Sequence, residues 1–278
     1  MDDYTEIHYT VQDPVAVVRL SRPAVLNALT LTTLAELRDA LRRADRDKRV
    51  VGIVLTGEGR GFCAGLDMRF LREAAATPPA AAPQPTPLTE TRSDARLGPN
   101  LKFEFDHFLN LRKPIIAAVN GPAAGLGFVL AMLCDVRIAG ASATFNSTFA
   151  ARGLVAEYGI SWLLPRLIGT SRTLDVLWRA TKLDAATALA LGLVNSVVGD
   201  DVLVDQACGY VKDIAARSSP ASLAAIKMQV YRNLTNTLTE AWHETLPLMR
   251  ESTQHPDFRE GVTAFVEARA PRFQRLGD

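Results

Sequence analysis

The chain alternates between short apolar runs and longer stretches whose apolar residues recur every three to four positions. Residues 7–11 and 16–20, joined by Gln12-Asp13-Pro14, predict a β-hairpin. Thr30 is placed to cap a helix over residues 31–46, with Leu34, Leu37 and Leu41 on one face. Residues 50–56 form a strand-like run, and residues 115–119 read as a buried strand. A glycine-rich turn follows each run, the first over residues 57–67 and the second over residues 121–135, where an apolar helix runs through Leu133. Helices are expected over residues 101–112, 160–168 and 174–179, and short strands over 136–139, 143–145 and 194–198. Beyond Asp201 the rhythm is helical throughout, over residues 202–216, 221–234, 238–252 and 258–268. Residues 77–99 are rich in Ala, Pro and Thr and lack periodicity, as expected of a mobile surface insertion. The pattern is an α/β region over residues 1–200 followed by a helical region over residues 201–278.

Composition narrows the functional classes. The chain has 278 residues, 48% hydrophobic and 22% charged, the profile of a soluble globular protein. Its 31 basic and 30 acidic residues give a net charge of +1, which supplies no reason to invoke nucleic acid or an anionic membrane. Cys63, Cys134 and Cys208 are scattered and odd in number, arguing against a disulfide framework and a zinc site. Small buried thiols in a reducing compartment are expected instead. Met1-Asp2-Asp3 opens without an apolar signal region, and no apolar stretch reaches membrane-spanning length. The expected location is the cytoplasm.

The second glycine turn carries the most chemistry. Gly125 and Gly127 flank Leu126 where the apolar helix begins. Free backbone N–H groups then lie at a turn and at the positive end of a helix, able to hold a negatively charged oxygen. With the first turn beside it, the pair suggests two N–H donors converging on one oxyanion. A dinucleotide fingerprint would need a third glycine where Leu130 stands, and no phosphate-loop lysine follows either turn. Taken singly, each turn is also explained as a tight strand–helix connection.

Three segments together resemble the crotonase family, the enoyl-CoA hydratase/isomerase superfamily. They are Arg22-Pro23-Ala24-Val25-Leu26-Asn27-Ala28-Leu29, Gly61-Phe62-Cys63-Ala64-Gly65-Leu66-Asp67 and residues 114–135, with Phe265-Val266-Glu267 resembling the family's C-terminus. The resemblance covers nearly the whole chain, most weakly over residues 77–99. It implies an α/β fold of stacked ββα turns forming a spiral core, with C-terminal helices used in assembly as a homotrimer or dimer of trimers. It also implies an acyl-CoA thioester substrate, CoA being part of that substrate, with no metal or redox cofactor. The thioester oxygen would sit between the N–H groups of Leu66 and Leu126. Arg22, Ala24, Val25, Ala64 and Asp67 would follow the CoA track, with Gly65, Gly125, Gly127 and Phe149 lining the substrate site. The 3′-phosphate contact would fall to Arg269 or Arg272 or be lost, the plain alternative being a solvated basic tail.

The acid/base residues separate the reactions within that family. By the resemblance, the two hydratase glutamates fall at Val129 and Phe149, so both are missing. Gly153-Leu154-Val155-Ala156-Glu157-Tyr158-Gly159 resembles instead the segment carrying the single glutamate of Δ3,Δ2-enoyl-CoA isomerases. Apolar Val155, Ala156 and Ile160 are expected to desolvate Glu157 and raise its pKa. A pairing with Arg152 would do the opposite. As a bare pattern, Glu157 is also a favourable acid at a helix N-terminus. His107 lies on a helix that could approach the acyl pocket but is expected to be a surface or satisfied core histidine, and Asp135 a structural partner. The alternatives to isomerisation are 2-enoyl-CoA hydration and acyl-CoA binding without catalysis.

Overall fold

The computed structural model describes residues 4–69, 72, 76 and 101–277. Strands β1 (Ile7–Gln12) and β2 (Val15–Leu20) form the expected antiparallel hairpin, pairing Ile7 with Leu20 and Gln12 with Val15. From β2 onward the large sheet is parallel. Strand β3 (Gly52–Gly57) lies beside β2 and β4 (Ile115–Val119) beside β3, with Val54 opposite Ile116. Every residue of β3 and β4 is buried, which is why both read as unbroken apolar runs. After β4 the chain turns at Gly121 into β5 (Pro122–Ala124), the first strand of a separate three-stranded sheet. Strand β6 (Val136–Gly140) returns to the large sheet beside β4, and β7 (Thr144–Asn146) pairs with β5. Strand β8 (Leu183–Asp184) completes the small sheet and β9 (Ser196–Val198) the large one.

Helices cover both faces of the large sheet. Helix α1 (Leu31–Arg46) begins with a reciprocal cap: the Thr33 N–H donates to Thr30 Oγ1 and the Thr30 N–H to Thr33 Oγ1, each at 3.1 Å. Its buried stripe contains Leu34, Leu37 and Leu41, as the spacing predicts. Helix α2 (Asp106–Asn110) is far shorter than the helix expected over residues 101–112. The N–H groups of Arg112 and Lys113 donate to Asp45 Oδ1 at 2.8 and 3.1 Å instead of to helical carbonyls, and the chain leaves the helix there. Helix α3 (Leu126–Leu133) is buried on all sides, so it carries no polar face to mark its period. Helices α4 (Ile160–Ile168), α5 (Thr170–Arg179) and α6 (Ala185–Leu191) follow. Strands β5 and β8 and helix α6 have no counterpart in the sequence reading.

Helix α7 (Leu203–Arg217) closes the other face of the large sheet. Its Leu203, Ala207 and Val211 pack with Val15, Val54, Ile116, Ala118 and Ile138. The first helix beyond residue 200 is thus the sheet's own cover. Three more helices follow: α8 (Pro220–Asn233), α9 (Leu238–Gln254) and α10 (Pro256–Val266). No residue of α9 is buried. The tail returns to the hairpin through Arg275, whose Nη2 lies 3.0 Å from Asp13 Oδ1. The insertion expected over residues 77–99 lies outside the described residues. No helix among the described residues is long and apolar enough to cross a membrane.

Candidate active site

The two glycine-rich turns are laced together by their backbones. The N–H groups of Phe62 and Cys63 both donate to the Pro122 carbonyl, and the Ala124 N–H donates to the Cys63 carbonyl at 2.9 Å. Glycines make this approach possible. A Cβ on Gly121 would stand 2.1 Å from the Arg60 carbonyl oxygen, and one on Gly127 2.1 Å from the Cys63 carbonyl oxygen. A Cβ on Gly65 would stand 2.7 Å from the Ala124 carbonyl oxygen and 3.3 Å from the Leu126 nitrogen. Gly65 and Gly125 also adopt positive φ, +92° and +53°, which L side chains rarely take. The turn carrying Leu66 therefore lies directly against the start of α3.

Leu126 is the first residue of α3, and Gly125 ahead of it supplies no side-chain cap. The first N–H groups of a helix have no partner within it. Among the described residues, neither the Leu66 nor the Leu126 N–H is taken up by a backbone carbonyl. Two donors that no backbone carbonyl takes lie on touching turns, one of them at a helix's positive end, and such groups are what a negative charge on oxygen would require.

Two amides missed in the sequence, buried Asn27 and half-buried Asn120, hold the first turn in shape. Asn27 Nδ2 donates to the Gly61 carbonyl at 2.7 Å and the Glu58 carbonyl at 3.0 Å. Asn120 accepts from the Gly57 N–H at 3.1 Å and donates to the Gly59 carbonyl at 2.9 Å. The Asn120-Gly121 pair directly after a buried strand was the available signal. Residues 22–29 flank this turn: the Leu29 N–H donates to the Gly65 carbonyl and the Asp67 N–H to the Leu29 carbonyl. Arg22 lies between Glu6 at 3.3 Å and Asp67 at 3.1 Å. Asp67 also accepts from Arg69, and these bonds hold its carboxyl far below the usual range. Ion-paired with both arginines, it braces the turn. Ala24 and Val25 are exposed beside this turn, and Ala64 is half-buried.

Val129 and Phe149 are both buried apolar residues, at 0% and 4% exposure. Glu157, half-buried in the turn ahead of α4, is the one carboxylate between Phe149 and Gly159. Burial raises its pKa. The expected neighbours need correction, because Val155 is 78% exposed and turns to solvent, whereas Ala156 and Ile160 pack with the core. Tyr158 follows at φ +55° and sets its ring edge-on to Phe105, centroids 5.7 Å apart. Arg152 makes no pair with Glu157. Its Nη1 donates to Thr148 Oγ1 at 2.8 Å.

The remaining candidates fall into structural roles. His107 is buried against Phe105 and Phe108, and desolvation, aided by Arg38 and Arg42, pushes its pKa down to about 3. Asp135 accepts from the Ile115 N–H, Lys227 Nζ and the Tyr231 hydroxyl at 2.7, 2.7 and 2.8 Å. Cys63 and Cys134 are buried, and burial pushes both thiols up to about 12. Arg269 is held by Glu260 and Glu267, each at 2.6 Å, so a phosphate there would compete with two carboxylates. Among the described residues no three His, Cys, Asp or Glu side chains gather as a metal site would require.

Comparison with known proteins adds a family to this geometry. Residues 10–275 match the model of the enoyl-CoA hydratase/isomerase family. A probable enoyl-CoA hydratase of Rhodobacter capsulatus is 37% identical over 276 residues, covering 97% of this chain and 98% of its own. The 1,2-epoxyphenylacetyl-CoA isomerase of Escherichia coli is 34% identical over 271 residues, covering 95% and 96%. A crystal structure of an enoyl-CoA hydratase from Polaromonas sp. JS666 superposes with a TM-score of 0.85 at 29% identity, covering 96% of this chain and 99% of that one.

Proposed function

The chain belongs to the enoyl-CoA hydratase/isomerase family of enzymes and has the crotonase fold, and we propose that it isomerises 3-enoyl-CoA to 2-enoyl-CoA with Glu157 as its single acid and base. The observation that carries this reading is the distribution of carboxylates. The positions that correspond to a hydratase pair are Val129 and Phe149, both buried and apolar, while Glu157 is present with a pKa raised by burial.

The reaction follows from those groups. The Glu157 carboxylate takes a proton from C2 of the acyl chain. The C–H electron pair moves into the C1–C2 bond, and charge passes to the thioester oxygen between the N–H groups of Leu66 and Leu126. As that charge returns, the double bond shifts from C3–C4 to C2–C3 and the protonated Glu157 gives its proton to C4. Nothing is consumed, and one carboxyl suffices because both carbons lie along one face of a bent substrate. Hydration is more demanding, since a water must be activated at C3 while a proton reaches C2. Neither Val129 nor Phe149 can hold that water or move that proton. The CoA moiety would run past Arg22, Ala24, Val25, Ala64 and Asp67, and Phe149 would meet the acyl tail. A cytoplasmic homotrimer fits this reading.

The two reactions are separated by the absorbance of the conjugated thioester. With 3-enoyl-CoA the band should grow, and with 2-enoyl-CoA it should persist. Rapid loss of the band from 2-enoyl-CoA, together with no turnover of 3-enoyl-CoA, would make the chain a hydratase, like the named activity of its R. capsulatus relative.

A further inference from the structure

Gly125, with no side chain of its own, sits under a cation. Arg152 Nη1 lies 3.7 Å, and Thr148 Oγ1 3.1 Å, from the point a Gly125 Cβ would occupy. Gly125 immediately precedes Leu126, so the guanidinium lies beside the turn that presents the α3 N–H. Local backbone geometry aims it there. Thr148 takes φ +58° and its N–H donates to Asn146 Oδ1 at 3.0 Å. A short 3-10 turn over Ala150–Arg152 then ends on Gly153 at φ +71°, folding residue 152 back toward residue 148. The hydrogen bond to Thr148 fixes the side chain. No carboxylate among the described residues pairs with Arg152. A charge with one neutral partner, beside a site where negative charge develops, has an obvious use.

We propose that Arg152 stabilises the enolate oxygen through its charge, as a third element beside the N–H groups of Leu66 and Leu126. The proposal rests on the reading of those two N–H groups as the oxyanion donors. The role proposed for Arg152 is that of a fixed charge, not of an acid. Opposite charges attract over several ångströms in the partly screened surroundings of a protein surface.

The test reads enolate directly and does not need Glu157. Acetoacetyl-CoA ionises at C2, and its enolate absorbs separately from the keto form. Bound to the unaltered protein, its apparent pKa should fall below the value in free solution. In Arg152→Met it should rise by about one unit, a tenfold smaller enolate-to-keto ratio at fixed pH. Arg152→Lys should retain most of the effect, and Thr148→Ala, which releases the side chain, should lose part of it. Affinity for free CoA should be the same in all four proteins. An unchanged enolate fraction in Arg152→Met would overturn the proposal. So would a matching loss of free CoA affinity, which would assign the guanidinium to a CoA phosphate. If the unaltered protein does not enrich the enolate at all, the donor pair itself is wrong. Loss of isomerase turnover in a Glu157 variant is independent of each outcome.

Discussion

Burial raises the pKa of Glu157, and no cation opposes that rise. For a catalytic base this makes proton abstraction stronger once the carboxyl is ionised. Turnover at limiting substrate should fall as pH drops through a value above that of an ordinary glutamate. The sign for stability is the reverse. A carboxyl whose pKa is higher in the folded state binds its proton more tightly there, so its ionisation costs stability as pH rises from the unfolded value through the folded one. Glu157→Gln should therefore lose at least about a hundredfold in isomerase turnover with no loss of thermal stability at neutral pH. A variant that unfolds at lower temperature and keeps its turnover would make Glu157 a structural residue. Gly127 gives a second test at this scale. Its Cβ would collide with the Cys63 carbonyl, forcing the two turns apart. Gly127→Ala should raise the barrier by about 2–4 kcal/mol, the effect of losing one oxyanion donor, and single-turnover rates on a folded variant would measure it.

Elements with a strong period were legible, and those shaped by contacts were not. Residues 31–46 and 160–168 form helices with the expected bounds, because an apolar stripe runs through each, Thr30 caps the start of the first, and Gly159 and Gly169 bracket the second. Strand β4 was legible as an apolar run bounded by Pro114 and Asn120-Gly121. The end of α2 depends on Asp45, distant in sequence, and a three-residue strand such as β5 has no period to detect. The touching turns were inferred from paired glycines, whereas the aim of Arg152 at Gly125 depends on a left-handed threonine that no pattern announces. Asp135, read as a structural partner, joins β4 to α8 through Ile115, Lys227 and Tyr231. The Lys227 side chain is only 7% exposed, so removing its carboxylate leaves a charge without its counter-ion. Asp135→Ala should cost about 3–5 kcal/mol, measured by urea unfolding. Lys227→Met should restore part of that loss in the double variant, because the two substitutions act on one interaction. Strictly additive losses would show that Asp135 and Lys227 are not coupled.

On the scale of the whole molecule, the outer faces of the last two helices remain uncovered. Helix α9 exposes Trp242, Leu246 and Met249, and α10 exposes Phe258, Val262 and Phe265, each set spaced by four and then three residues. That is the period of a buried helix face, repeated on two neighbouring helices that pack on each other. Trp242 is 59% and Phe265 87% exposed. Contiguous apolar surface of this kind marks an association surface on a soluble protein. Burying a large side chain contributes about 1.5–3 kcal/mol, so a few such residues per subunit outweigh the entropy of ordering their side chains. The expectation is self-association through α9 and α10, in keeping with the trimer that the resemblance implies. Sedimentation equilibrium at micromolar concentration should give a mass near three chains or a multiple of three. Trp242→Glu and Phe265→Glu should shift it toward one chain, because each places an unpaired charge in the contact. A monomeric unaltered protein would refute the expectation. A trimer indifferent to both substitutions would place its contacts on another face, leaving these stripes without a partner.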